Sequence, residues 1–281
     1  MEWMANYTLR TRPELLLPGA KSIIVIGINY YRETAPVPPC HGRVARYAHG
    51  RDYHKVIGKI LRALAAYKKE TAPKALCKIC VDSSPLMEKS YAVKAGLGFI
   101  GKNTTLITPQ FGSYVLLGEI ITTLKLKCDK SKIPGMSHSP EKSASPGTCG
   151  TCTRCLDSCP TKALTGPGKM DTRRCISYLT IENKGGIPRE YHPKIGNRIF
   201  GCDACQEVCP YNKTLAKPAT NKEIIRPIAG PSLPLKKILA IRSDEEFQRR
   251  FAGSPLMRAK RAGLQRNARC VIDSKSTGAA L

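Results

Sequence analysis

Up to residue 126 the apolar positions fall into short strand-length runs and one long helical stretch. Ser22 to Tyr30 (S-I-I-V-I-G-I-N-Y) is β-branched and apolar, which predicts a buried strand. From about Asp52 to Lys69, Ile57, Ile60, Leu61 and Leu64 recur on one helical face. Leu76 to Val81 predicts a second strand that delivers Asp82 at its carboxyl end. Ser84-Pro85 then predicts an N-cap with Pro in the first turn of a helix that runs to about Ala95 and stops at Gly96. Thr104–Thr108 and Tyr114–Thr123 predict strands joined through P-Q-F-G-S as a hairpin or a broader turn. Residues 1–20 and the Pro-rich 32–42 stretch read as irregular. The pattern over 1–126 is that of an α/β domain.

The pattern then changes. Residues 127–148 are polar and rich in Ser, Pro and Lys, which predicts a linker. Residues 149–218 are dominated by cysteines, with short helices expected after each C-P and a helix around Asp171 to Ile181. Residues 219–281 are Pro-rich to Pro234. A capping box, Ser243-Asp244-Glu245-Glu246, then opens a short helix, and the chain ends in a helical segment and a tail expected to be disordered.

Cys149, Cys152, Cys155 and Cys159 stand in C-x2-C-x2-C-x3-C-P, the spacing of two-cluster ferredoxins. There three close thiolates hold one [4Fe–4S] cube and the fourth crosses to the other. A second run supplies Cys202, Cys205 and Cys209-Pro210. Ile199 occupies its first position and cannot ligate iron, and Cys175 is the nearest free thiol able to fill it. Cluster one is then Cys149, Cys152, Cys155 and Cys209; cluster two is Cys159, Cys175, Cys202 and Cys205. Paired C-x2-C also makes zinc sites, but zinc does not require the third cysteine of the tight run. A disulfide scaffold suits a smaller, secreted chain, and no signal pattern opens this one.

Composition adds one strong constraint. The chain has 281 residues, 42% of them hydrophobic, enough for a core. No apolar run approaches the roughly 20 residues of a membrane helix. Thirteen cysteines without a signal point to a reducing cytoplasm and thiolates used as ligands. Lys and Arg number 46 against 21 acidic residues, a net charge of +25. Such an excess points to a polyanionic partner, nucleic acid first.

Asp82, at a strand's carboxyl end, is a candidate proton donor or equally a helix cap. Asp52-Tyr53-His54 approaches D-x-H-x-x-G, the pattern of a cobalamin lower ligand. Its glycine falls at 58 rather than 57, so a helix-start Asp and an interfacial His is the better reading. Gly96-Leu97-Gly98-Phe99-Ile100-Gly101-Lys102 matches no nucleotide-binding fingerprint. Pro255 to Cys270 carries Arg258, Lys260, Arg261, Arg266 and Arg269, either a phosphate-contacting helix or a solvated face. Cys77 and Cys80, three apart in a strand, point to opposite faces and read as structural thiols.

The strings V-D-S-S-P-L-M-E-K, A-G-L-G-F-I-G-K-N, G-S-Y-V-L-L-G-E, C-I-S-Y-L-T-I-E and I-G-N-R-I-F-G-C-D-A-C-Q-E-V-C-P-Y-N, with R-Y-A-H-G-R-D-Y-H and F-A-G-S-P-L-M-R-A-K-R, resemble epoxyqueuosine reductase across nearly the whole chain. The resemblance implies a cytoplasmic, cobalamin-dependent oxidoreductase that converts epoxyqueuosine to queuosine at the wobble position of certain tRNAs. It implies a mixed-sheet α/β cobalamin-binding domain, a ferredoxin-like two-cluster domain and a short helical C-terminal segment. Its partners would be tRNA and a low-potential electron donor, with no membrane, and the chain would act as a monomer.

Reductive epoxide opening with loss of water takes two electrons and two protons. By resemblance, cobalamin refilled from the clusters supplies the electrons. Asp82 would be the proton donor, its pKa raised in a dry pocket. Ser177, Asp203 and Ala204 look like cobalamin contacts, as do Ala45, Leu106, Pro109 and Leu117. Rival readings are a plain two-cluster electron carrier, a nucleic-acid-binding protein with structural clusters, and a reductive dehalogenase.

Overall fold

A computed structural model describes residues 7–127 and 148–276. The predicted linker lies almost wholly outside the described residues, as does the end of the predicted tail.

The chain opens with α1 (Tyr7–Thr11) and enters β1 (Ser22–Asn29), the first predicted strand. After the Pro-rich loop come β2 (His41–Val44) and α2 (Tyr53–Thr71). Asp52 caps α2 by accepting the His54 backbone N–H at 3.0 Å. Ile57 and Leu61 are fully buried beneath α2, whereas Leu64, predicted on the same face, lies exposed. Next is β3 (Cys77–Cys80). Cys77 packs with the α2 side of the sheet and Cys80 with the other side, as the strand period required.

The following helix, α3 (Glu88–Lys94), starts later than Ser84-Pro85 predicted. The Ser83 N–H bonds to the Val81 carbonyl at 2.5 Å and the Leu86 N–H to the Ser84 carbonyl at 2.8 Å. These two-residue closures are incompatible with a helix, and they drop Leu86 into the core.

Strands β4 (Phe99–Ile100) and β5 (Leu106–Ile107) pair with each other, and β6 (Val115–Thr122) joins β1 and β3 in an antiparallel sheet of order β1-β6-β3. Of the two predicted connections between β5 and β6, the broader turn forms, closed by the bridge Thr108–Gly112.

In the cysteine-rich segment α4 (Arg154–Asp157) is followed by the hairpin β7 (Leu164–Gly166) and β8 (Lys169–Met170). No helix forms after Cys159-Pro160, because the chain turns back at Lys162, whose φ is 51°, and the Ala163 N–H bonds to the Cys159 sulfur. The helix predicted over Asp171–Ile181 splits at Cys175, which is extended. A 3₁₀ turn (Thr172–Arg174) precedes it and α5 (Ile176–Ile181) follows. Then come α6 (His192–Ile195), β9 (Arg198–Phe200), α7 (Ala204–Glu207) and α8 (Pro210–Leu215), the last beginning at the second C-P as predicted.

The remainder is α9 (Lys222–Ile225), β10 (Ser232–Pro234), α10 (Leu235–Leu239), α11 (Asp244–Phe251), a 3₁₀ turn (Pro255–Ala259) and α12 (Lys260–Ser276). Ser243 caps α11 by accepting the Glu246 N–H at 3.2 Å.

The mixed sheet is small and central. Its order is β10-β2-β9, with β2 parallel to β9 and antiparallel to β10. It takes one strand from each of the three predicted segments. Val44, Ile176, Phe200, Leu235, Phe251 and Leu264 share one buried core around it. The C-terminal segment is thus built into the molecule, and it carries the 3₁₀ turn back to Asp82.

Candidate active site

The eight cysteines divide as the spacing predicted. Cys149, Cys152, Cys155 and Cys209 line one hollow, walled by Ile107, Pro210 and Tyr211. Cys159, Cys175, Cys202 and Cys205 line another, with Ser177 and Ala204. Four thiols spread around a hollow fit a cubane, which takes one thiolate per iron. Among the described residues no group of His, Cys, Asp or Glu converges as a single metal ion would need. Backbone N–H groups already point at sulfur: Lys102 at Cys149 (3.4 Å) and Ala163 at Cys159 (3.2 Å). Such bonds to sulfur tune a bound cluster.

The glycine-rich loop that matched no nucleotide motif seats the cluster segment. Lys102 Nζ donates to the Gly150 carbonyl at 2.7 Å, and the Gly168 N–H bonds to the Lys102 carbonyl at 3.0 Å. Gly98 lets this loop press on β5, where a Cβ would stand 2.1 Å from the Ile107 oxygen. Asn212 completes the join. Its Oδ1 accepts the Ser113 N–H at 2.6 Å, and its Nδ2 donates to Ser113 Oγ (2.8 Å) and to the Gln206 carbonyl (2.7 Å).

Asp82 lies in an open cavity of about 570 Å³ lined also by Tyr47, Tyr53, His54, Glu182 and Arg258. Tyr53 donates its hydroxyl proton to Asp82 Oδ2 at 2.9 Å. His54 Nε2 is 3.3 Å and Arg258 Nη1 3.5 Å from the same oxygen. On its other side His54 Nδ1 meets Asp52 Oδ1 at 2.8 Å, so the ring stands between two carboxylates, hydrogen-bonded to Asp52 and in ion-pair contact with Asp82. Arg258 also pairs with Glu182 at 3.0 Å. Ser177 and Ile181, one turn apart on α5, line the cluster-two hollow and the Asp82 cavity respectively. The short helix α5 therefore stands between the cluster-two hollow and the Asp82 cavity.

The electrostatics correct one expectation. Burial does push the Asp82 carboxyl up, but the bonds and charges of His54, Tyr53 and Arg258 outweigh it and hold the group below the usual carboxylate value. Asp82 is therefore ionised at neutral pH in this state. Burial pulls His54 down, but Asp52 and Asp82 raise it to about 9, so it is an imidazolium. The protons around Asp82 sit on His54 and Tyr53.

The other expected contacts are scattered. Ser177 and Ala204 line the cluster-two hollow. Ala45 is buried at the end of β2. Asp203 is buried and spent on Arg46, accepting its backbone N–H at 2.9 Å. Leu106 is buried in β5, Pro109 is exposed in the turn, and Leu117 is half-buried in β6. None of these five lines either the Asp82 cavity or the cluster-two hollow.

Sequence reasoning missed Tyr53, His54 and Arg258. His54 had been set aside with the failed cobalt-ligand pattern. Its placement two residues after a helix-capping Asp was the usable signal. The basic segment is also less free than a phosphate-contacting face would be. Arg258 is engaged at the cavity, Arg261 binds Asp244 at 2.8 Å, and Arg266 donates to the Leu179 and Asn183 carbonyls at 2.8 and 2.6 Å.

Comparison with known proteins agrees with this geometry. Residues 10–83 match the family described as "Epoxyqueuosine reductase QueG, DUF1730", and residues 148–212 match the "4Fe-4S double cluster binding domain". The chain is 41% identical over 270 residues to the epoxyqueuosine reductase of Synechocystis sp., covering 95% of this chain and 88% of that one. It is 43% identical to that of Pseudomonas aeruginosa, covering 92% and 70%. Among solved structures it superposes with TM-score 0.83 at 35% identity on a Bacillus subtilis epoxyqueuosine reductase whose catalytic aspartate loop is swung out of the active site, covering 97% of this chain and 70% of that one. It superposes with TM-score 0.82 at 36% identity on an epoxyqueuosine reductase bound to an epoxyqueuosine-modified tRNA-Tyr stem loop, with the same coverage. A double [4Fe–4S] domain joined to a gripped aspartate, in a chain this similar to these enzymes, makes it a member of the epoxyqueuosine reductase family of oxidoreductases.

Proposed function

We propose that this chain reduces epoxyqueuosine to queuosine at the wobble position of a tRNA anticodon stem-loop, using cobalamin held between cluster two and Asp82. The observation that carries the reading is α5, whose Ser177 lines the hollow of the cluster-two thiols and whose Ile181, one turn on, lines the Asp82 cavity. Ser177 and Ala204 would hold the cofactor at the cluster end. The bound cofactor would supply a strongly reducing, nucleophilic metal centre, and the clusters would deliver electrons one at a time.

This chain's own residues handle the protons. His54 and Tyr53 each hold one within reach of Asp82 Oδ2. As negative charge develops on the epoxide oxygen, the His54 proton passes to the Asp82 carboxylate and on to that oxygen, which leaves His54 neutral. Arg258 and Glu182 fix the wall opposite. The catalytic aspartate loop of the Bacillus subtilis relative can leave its active site; the turn carrying Asp82 between β3 and α3 is our candidate for the same role. The net charge of +25 suits a polyanion, and a relative has been solved with an epoxyqueuosine-modified stem loop. We further propose that the chain works as a monomer in the cytoplasm with a low-potential electron donor.

The test is anaerobic reconstitution with iron, sulfide and cobalamin, followed by gel filtration and metal counting. The reading predicts about eight irons and one cobalt per chain. Eight irons with no retained cobalt would contradict it and favour an electron carrier, or a tRNA-binding protein with structural clusters.

A further inference from the structure

Behind Asp82 lie two acidic side chains that the proposed chemistry does not use. Glu119 is the only charged residue of β6 and is fully buried. Gly118 and Ile120 pack towards α2, so Glu119 and Ile121 face the α3 side. No N–H or O–H donor reaches either carboxylate oxygen of Glu119 among the described residues. The group facing it is the carboxyl of Glu88, the first residue of α3. Glu88 Oε1 in turn accepts the backbone N–H of Asp82 at 2.5 Å.

A buried carboxylate with no donor, set against a second carboxylate, cannot stay ionised. Glu119 must therefore carry a proton and give it to Glu88 as a hydrogen bond. The pair holds one proton and one negative charge. That charge rests on Glu88, where the Asp82 amide points.

Asp82 needs such an acceptor. Its φ is 48°, in the left-handed region that few side-chain-bearing residues occupy, Asp among the more frequent of them. Such a conformation persists only where its surroundings impose it. The ionised Glu88 fixes the amide of the turn that the Ser83–Val81 hydrogen bond closes around Asp82, and the Asp82 carboxyl is thereby aimed at Tyr53, His54 and Arg258.

We propose that Glu119 and Glu88 form a proton-sharing latch that holds the Asp82 turn in the cavity, both acting as positioning residues for the reduction. This rests on the reading of Asp82 as the proton donor. The charged or titratable groups facing the pair are Asp82 and His54 from the cavity side, Cys80 from β3 and Lys89 from α3, with Arg10 beyond Lys89; β1 places only Val25 opposite Glu119. Burial and the Asp82 charge push Glu88 above the ordinary carboxylate range. Mild acid therefore neutralises Glu88 sooner than an ordinary glutamate and loosens the turn.

The test uses the full reconstituted chain and the variants Glu88→Gln, Glu119→Gln and Glu119→Leu. Infrared spectra with ¹³C-labelled glutamate at neutral pH should show a protonated carboxylic acid in the wild type that Glu119→Gln removes. In turnover of an epoxyqueuosine-modified stem loop, Glu119→Leu should lower kcat about tenfold, the difference between a charge-assisted and a weakened hydrogen bond, while KM stays within about twofold. Glu119→Gln keeps an N–H donor towards Glu88 and should recover most of that loss. Glu88→Gln should remove the acid limb of the kcat–pH profile. The latch is refuted if the wild type lacks the acid band, if Glu119→Leu turns over like wild type, or if the limb survives in Glu88→Gln. A wild type with no turnover at all would sink the functional reading, and the infrared result would still decide the latch.

Discussion

Replacing His54 with Gln removes a charge that two carboxylates hold in place, and the cost can be worked out. In the folded chain Asp52 and Asp82 raise His54 from 6.5 to about 9. That difference is worth about 3 kcal/mol of folding stability. Because the folded value is the higher one, the contribution is complete below 6.5 and disappears as pH rises through about 9. His54 is a quarter exposed, so solvent trims the figure rather than cancelling it. In a chain of this size it corresponds to roughly 5–10 °C in Tm. The assay is anaerobic thermal unfolding of the reconstituted wild type and His54→Gln followed by circular dichroism. The variant should melt well below the wild type at about pH 6 and close to it at about pH 10. An equal gap at both pH values would refute the argument and make His54 a packing residue.

Asp82→Asn should leave iron content and tRNA binding unchanged while lowering kcat by about 10²–10⁴, the usual contribution of a positioned proton donor; metal analysis, a binding isotherm and turnover check the three parts. Cys149→Ser should reduce the iron count from about eight to about four by removing cluster one alone. Gly112→Ala should destabilise the junction by about 2–4 kcal/mol in a thermal melt, because φ is 62° and the new Cβ would stand 2.1 Å from Asn212 Oδ1. Raising salt should weaken stem-loop binding along a straight log–log line, as counterion release requires.

The sequence was most legible where function depends on local spacing. The tight C-x2-C-x2-C run and the C-P crossings constrain which thiols can meet, and the structure gathers the two sets that the spacing predicted. Asp82 was legible because strand ends present ligand-handling groups. Its neighbours were not. Tyr53 and His54 come from the start of α2, and Arg258 comes from a 3₁₀ turn far along the chain. Their meeting depends on β10-β2-β9, a sheet of very short strands with no strong periodicity of its own.

The start of α3 was misplaced for a related reason. Ser-Pro is a sound N-cap signal, but the tertiary need to aim Asp82 and bury Leu86 overrode it. Glu119 did leave a mark: a lone acid inside V-L-L-G-E-I-I-T. A charge in an otherwise apolar strand needs a partner or a proton, a signal that strand prediction from apolar runs passes over.

The most direct test of the central claim is nucleoside mass spectrometry of an epoxyqueuosine-modified tRNA stem loop after anaerobic reaction with the reconstituted, reduced protein. Queuosine should form when cobalamin is present, and essentially none when cobalamin is omitted or Asp82 is replaced by Asn. Unchanged epoxyqueuosine with the fully loaded protein, or equal conversion without cobalamin, would contradict that claim.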